Sequence, residues 1–268
     1  MTKDDNINIF NDTLEKIEKS KTLTEAVNKS NENQHYISFF LKYNPNRFTE
    51  SAKIIVSKSS TLDAARKYDN VAVLNFASAT NPGGGVTRGS FAQEECICRC
   101  STLYKNLNTE KSMNSFYEPH RNGLSPLHND DIIYTPGVVV IKSDDYKDLL
   151  VNKQVNVITC AAPNLREKPQ NEYNHESHTE QAIISDEDLL KLHIVRARHI
   201  LNVAAAYEND NVILGAFGCG AFMNDPKIVA EAYKIVLPEF EHCFKTIEFA
   251  IYCKTESTNY NTFKNILL

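Results

Sequence analysis

Glycine is scarce in this chain: nine occur in 268 residues, under half of the ~7% usual in soluble proteins. That scarcity excludes flexible and fibrous chains, and it makes the place of each glycine informative. Long apolar runs are also missing, since none approaches the ~18 residues that a membrane span requires. The N-terminus, MTKDDNINIF, is polar and acidic where a secretory leader is basic and then apolar, so a cytoplasmic location is expected. The seven cysteines show no small-domain spacing, which excludes a disulfide framework. Cys160, Cys243 and Cys253 lie in apolar runs, as reduced, buried thiols do. Finally there is no excess of positive charge. At a net charge of -5 the chain is not one that coats nucleic acid, because that affinity comes from Lys and Arg displacing counterions. A polyanionic ligand must be held by neutral donors.

What remains is an ordinary globular composition, 42% hydrophobic and 24% charged, in a length able to bury roughly 75% of its unfolded surface. Residues 6–29 place Ile7, Phe10, Leu14, Ile17, Leu23, Ala26 and Val27 at helical spacing, which predicts one or two helices with Asn11, Asp12 and Thr13 as candidate caps. From about residue 52 the pattern changes. AKIIVSK, VAVLNFA, IIYTPGVVVIK, VNVITCAA, NVILGAFG and TIEFAIYCK read as strands, several apolar on both faces. AQEECICRCSTLYKNL, SDEDLLKLHIVRARHILNVAAAYE and DPKIVAEAYKIVLPEF read as helices between them. Such alternation predicts an α/β fold of three layers, α/β/α, with helices on both sheet faces. Residues 164–181 are polar and read as a loop, and no repeat or interdomain linker is evident.

Seven of the nine glycines fall in two stretches: Gly83, Gly84, Gly85 and Gly89, then Gly215, Gly218 and Gly220. Each stretch follows a predicted strand and precedes a predicted helix, the junction where open α/β sheets bind ligands. Three consecutive glycines remove every Cβ and let a backbone approach a ligand or take positive φ. A tight strand-to-helix turn would need no more than that, and a helix dipole accounts for an acid in the first turn. Capping gives no reason, however, for a triple glycine just ahead of Gln93, Glu94 and Glu95. The second stretch leads to Asp225 and Pro226, a helix start. Glycine loops ahead of helices present amides to phosphate. Neither loop is a Walker A motif or a dinucleotide fingerprint. Together they suggest a diphosphate ligand with a bond for a carboxylate to attack or protonate.

The string GGG, seven residues, QEE over 83–95 resembles the signature of the poly(ADP-ribose) glycohydrolases. Its surroundings are similar to the bacterial, microbial-type branch of that macrodomain family: FASATNPGGG, AQEE, IIYTPGVVVIK, VITCAAPNLR and ILGAFGCGAFMNDP recur there in this order, over about residues 36–255. The resemblance implies a macrodomain with a mixed central sheet over residues 51–268, and a helical extension over residues 1–50 packed on it. It implies hydrolysis of ribose–ribose O-glycosidic bonds to release ADP-ribose, with no cofactor and no metal. By resemblance Glu95 is the catalytic general acid/base and Glu94 contacts the ribose at the scissile bond. Asn81 holds the distal ribose hydroxyls, and Gly83, Gly84, Gly85, Val86 and Gln93 are substrate-binding positions beside it. Gly215, Ala216, Phe217, Gly218, Cys219, Gly220 and Ala221 form the diphosphate loop, and Phe222 confines the distal ribose. The implied partners are poly(ADP-ribose), ADP-ribose and ADP-ribosylated proteins, without a membrane or sequence-specific nucleic acid. A monomer that reverses ADP-ribosylation in the DNA damage response is the corresponding expectation.

The chemistry accords with that assignment. Glycoside hydrolysis passes through an oxocarbenium-like state that needs a proton for the leaving oxygen and a base for water. Adjacent helical residues point about 100° apart, so Glu94 and Glu95 cannot flank a bond as two opposed carboxylates do. Glu95 is therefore expected to serve both steps while the substrate diphosphate stabilises positive charge. Two other readings use the same pocket: a reader that grips ADP-ribose without cleaving it, and a hydrolase of mono-ADP-ribosyl or O-acetyl-ADP-ribose esters. Cys96, Cys98 and Cys100 read as core thiols rather than a metal site. His175 and His178 fall in the polar loop. Arg196, Arg198 and His199 read as surface or packing residues, and Thr159, Ala161 and Asn164 end a central strand. Tyr36, Phe39, Phe40, Tyr134 and Phe217 are candidates to stack on adenine.

Overall fold

The computed structural model describes residues 1–123, 125–170 and 180–268. Its centre is a seven-stranded sheet of β1 (His35–Ile37), β2 (Lys53–Ser57), β3 (Val71–Ala77), β4 (Ile132–Lys142), β5 (Asp148–Ala161), β6 (Asn211–Leu214) and β7 (Thr246–Ala250), in the order β1-β4-β5-β3-β6-β7-β2. From β5 through β3, β6 and β7 to β2 neighbours are parallel, whereas β4 is antiparallel to both β5 and β1. β3 lies in the middle because its sequence, VAVLNFA, is apolar in both registers, as a strand covered on both faces must be. Ala72 and Leu74 enter one core, Val71 and Val73 the other.

Helices cover both faces: α1 (Lys3–Lys19), α2 (Lys21–Glu32), α3 (Thr61–Ala65), α4 (Gln93–Cys100), α5 (Leu103–Leu107), α6 (Glu110–Ser112), α7 (Glu118–Arg121), α8 (Asp186–Ala206), α9 (Pro226–Val236) and α10 (Thr258–Leu267). The last three share one core, built from residues such as Ile200, Leu201, Val229, Tyr233 and Phe263. α1, α3, α4 and α5 contribute Phe10, Leu62, Ile97, Cys98, Leu103 and Leu107 to the other. The chain is thus three layers of the macrodomain type. Among the described residues, no helix is long and apolar enough to cross a membrane.

Several expectations change. α1 starts at Lys3 under a capping box of Thr2 and Asp5, so Asn11, Asp12 and Thr13 lie inside it: Asp12 pairs with buried Lys142 and Thr13 donates to the Arg99 carbonyl. The seventh strand, β1, comes from the N-terminal region, where only helices were expected. The helix expected over 92–107 is two helices, because Ser101 bridges to Val140 and Thr102 exchanges bonds with Val139 on β4. Cys253 is half-buried, whereas Cys160 and Cys243 are buried, and all seven cysteines are free. Arg196 is fully buried, paired with Asp130 and donating to the Ala161, Leu127 and His128 carbonyls. Arg198 pairs with Glu239 at the surface, and buried His199 bonds to the Asp130 and Phe39 carbonyls.

Candidate active site

Because β5, β3 and β6 are parallel neighbours, their carboxyl ends emerge side by side. β6 pairs with β3 only as far as Val73↔Ile213, and past that point the two strands part. Gln93, first residue of α4, fills the gap: its Oε1 accepts from the Phe76 amide (2.9 Å), and its Nε2 donates to the Leu74 carbonyl (2.7 Å) and to Thr61 Oγ1 (3.0 Å). Its amide therefore stands in for a missing neighbouring strand and locks α4 to the end of β3.

That lock sets the two acids. Neither caps its own helix. Glu94 reaches back to the strand end, where Oε1 accepts from Asn75 Nδ2 (3.1 Å) and Oε2 from the Ser78 amide (2.8 Å). Glu95 reaches to the triple glycine, where Oε1 accepts from the Gly85 amide (2.9 Å). Its other oxygen, Oε2, is buried without a hydrogen-bond partner. The two carboxylates come closer than their helical spacing suggests, because a Cβ on Gly84 would stand 2.6 Å from Glu95 Oε1 and 3.0 Å from Glu94 Oε2. Gly84 also has φ +59°, which glycine alone adopts freely. Both acids are almost fully buried. Burial first, and then the charge of Glu95, push the Glu94 carboxyl up to about 8, against the Ser78, Asn75 and Gly83 donors that favour its ionised form. Two buried neighbouring carboxylates resist being charged together, which favours the protonated form of Glu94 near neutrality.

Asn81 opens the turn before the glycines. Its carbonyl accepts from the Gly84 amide (2.9 Å) and its Oδ1 from Arg121 Nη2 (3.3 Å), while Arg121 Nε holds the Thr80 carbonyl (2.7 Å). Beyond the end of the neighbouring strand, residues 215–224 follow β6. Asn224, 2% exposed, donates to the Pro163 (2.7 Å), Gly218 (3.1 Å) and Phe222 (3.3 Å) carbonyls and accepts from His193 (2.8 Å). With the loop braced this way, the amides of Gly220, Ala221 and Phe222 have no acceptor among the described residues. The Phe222 ring is half-buried between the Arg166 guanidinium (5.6 Å) and His128 (6.0 Å).

The structure thus brings the residues singled out in the sequence to one edge of the sheet, but turns some inward. Val86 is wholly buried in the core beside α1, and Phe217 is 1% exposed against Phe76 (5.6 Å). Like Gln93, they pack their side chains into the frame of the site. Nor does Phe217 offer a face to adenine. Tyr134 stacks on Tyr207 (4.0 Å), Tyr36 is tied to Gln34 and Ser112, and exposed Phe39 and Phe40 lie towards His199. Thr159 receives Asn75 Nδ2 at 3.3 Å, and buried Asn164 bonds to Pro126 and Pro169. Cys98 and Cys100 are buried and Cys96 half-buried. His175 and His178 lie outside the described residues. Sequence reasoning missed Asn75, Ser78, Thr61, Arg121 and Asn224. Only Asn75 carried a signal, as the one polar residue inside the apolar run VAVLNFA.

Residues 8–143 match the family model of the microbial-type PARG catalytic domain. The whole chain is similar to the poly(ADP-ribose) glycohydrolase of Thermomonospora curvata, with a TM-score of 0.84 at 27% identity over 98% of this chain and 99% of the other. The same enzyme bound to the inhibitor ADP-HPD gives 0.80 at 29% identity, over 97% and 98%. The Deinococcus radiodurans poly(ADP-ribose) glycohydrolase in complex with ADP-ribose gives 0.75 at 30% identity, over 90% and 96%. A comparison with curated protein sequences finds no match. On the family match and on likeness along nearly its whole length, the chain belongs to the microbial-type poly(ADP-ribose) glycohydrolases.

Proposed function

We propose that this protein is a poly(ADP-ribose) glycohydrolase that cleaves ribose–ribose O-glycosidic bonds, with Glu95 as the acid and base. Membership of the family supports the reaction. The observation that carries the residue assignment is the state of the Glu95 carboxylate, fixed through one oxygen to the Gly85 amide while the other is buried and unpartnered. A carboxyl so held is oriented by one oxygen and keeps unused hydrogen-bonding capacity on the other, which suits it to exchange a proton with a bound substrate. Glu95 protonates the leaving ribose oxygen as the glycosidic bond breaks, then takes a proton from the attacking water. Glu94, strapped to β3, contacts the ribose. The amides of Gly220, Ala221 and Phe222 bind the diphosphate, whose negative charge stabilises the oxocarbenium-like state. Asn81 and Phe222 hold the distal ribose. The seven free cysteines support a reducing cytoplasm, and ADP-ribosylated proteins are the natural carriers of the polymer. The test is release of ADP-ribose from labelled polymer. Glu95→Gln is expected to lower turnover about 10³-fold while ADP-ribose still binds, as removal of a general acid/base does. No release by the wild type, or unchanged release by the variant, overturns the assignment.

A further inference from the structure

The loop that fixes Glu95 is held from outside by the first helix. Gly85 leads into a 3₁₀ turn, Val86–Arg88, that ends at Gly89 with φ +77°. The Ser90 amide returns to the Gly85 carbonyl (3.2 Å), closing the turn directly behind the amide that Glu95 uses. α1 lies on this turn. Asn6, 2% exposed, donates from Nδ2 to the Gly89 carbonyl (2.9 Å). A Cβ on Gly89 would overlap the Lys3 carbonyl oxygen, so the helix backbone rests on the glycine itself. Two further contacts flank the first. Thr13 donates to the Arg99 carbonyl, and the Arg99 guanidinium donates to the Ser90 carbonyl. Phe10 meets Tyr104 edge to face (4.9 Å), and the Tyr104 ring stands where a Cβ on Gly83 would fall.

We propose that α1 is a working part of the active site, and that Asn6 is a positioning residue which, through Gly89 and the turn behind it, holds the Gly85 amide on the Glu95 carboxylate. The inference rests on the assignment of Glu95 in the proposed function. Through Asn6, Phe10 and Thr13, α1 reaches the first glycine loop and its surroundings, while the second loop is braced separately by Asn224. Loosening α1 should therefore reduce the chemical step and spare ligand binding. A merely structural α1 would instead lower the active fraction of enzyme, seen as fewer ADP-ribose sites per chain with kcat per competent site unchanged.

The experiment compares Asn6→Ala and Asn6→Asp, which lose the donor, with Lys16→Ala, which breaks the ion pair of α1 with Asp148 on β5 and a pair with Asp12 within the helix, away from the loop. Each is assayed on poly(ADP-ribose) well below its melting temperature, with ADP-ribose affinity measured in parallel. Both Asn6 variants are expected to lose about tenfold or more in kcat, with KM and ADP-ribose affinity within threefold of wild type, and Lys16→Ala to retain kcat. Equal kcat loss in all three, or wild-type kcat in the Asn6 variants, overturns the proposal. Amide exchange over residues 83–91 provides a readout independent of turnover. Faster exchange in Asn6→Ala than in Lys16→Ala supports the clamp even if the wild type fails to cleave the polymer, a failure that would strike the proposed function alone, and equal exchange in the two overturns it.

Discussion

The two glycine loops look alike in sequence and do opposite work. In the first, the protein uses the space itself: Glu95 and Glu94 occupy the surroundings of Gly84, and the Gly85 amide is spent on Glu95. In the second, Gly215 and Gly218 are packed against the scaffold, but no described residue beyond the chain neighbours lies within 4 Å of where a Cβ on Gly220 would stand, and the amides of residues 220–222 are unused by described residues. One loop turns its polar backbone inward onto Glu95, and the other is braced from behind with the amides of residues 220–222 left without an acceptor among the described residues. A glycine-rich turn at a strand end is therefore a device for close approach, and the side chains around it decide what approaches.

The most severe break of that contrast is Gly84→Ala. The added methyl meets both carboxylates and sits at positive φ, so turnover should fall about 10²-fold or more, with a stability loss of about 1–3 kcal/mol; steady-state assay and urea unfolding check both. On the other side, Asn224→Ala removes three loop tethers and leaves His193 without its partner. It should weaken ADP-ribose binding by about one to two decades, on the order of 1–3 kcal/mol, with a smaller change in kcat, as calorimetry beside kinetics would show.

The inward loop also carries a pH signature that the outward one lacks. Glu94 has a folded-state value raised to about 8 from an ordinary 4.5, so the folded protein holds a proton that the unfolded chain releases. The resulting stabilisation is fully present below about pH 4.5 and is lost as pH rises through 8. Urea unfolding from pH 5 to 8 should show a decline of up to a few kcal/mol in the wild type, and a flatter profile in Glu94→Gln. The smallest effect is expected at Gly220→Ala. Its Cβ enters open space, and stability should stay within about 0.5 kcal/mol of wild type by thermal melting. A large loss there would erase the difference between the loops.

Much of this was legible in the chain. The β3 and β4 segments appear where apolar patterning predicts strands, because a strand covered by helices on both faces of the sheet needs apolar residues on both sides. α9 begins at Asp225 and Pro226, because an acceptor side chain and a residue without an amide suit a helix start. β1 was not legible: three residues make no pattern, and His35–Ile37 becomes a strand only by pairing with β4. The break between α4 and α5 is of the same kind, since Ser101 and Thr102 bond to β4 in place of continuing a helix. The anchors of the site, Asn75, Ser78, Asn224 and Asn6, are small polar residues whose importance depends on which carbonyl or carboxylate faces them.

The sequence by itself determined the layered class, both loops at the ends of strands, and the candidate acids, because apolar periodicity and glycine position are local properties of the chain. Only the tertiary structure decided that Glu94 turns to the strand and Glu95 to the glycines, and that α1 presses on the loop between them. Those outcomes depend on hydrogen bonds between residues far apart in sequence, such as Asn6 and Gly89, and on burial that raises the cost of every polar group left unpaired. Neither quantity exists until the chain has folded.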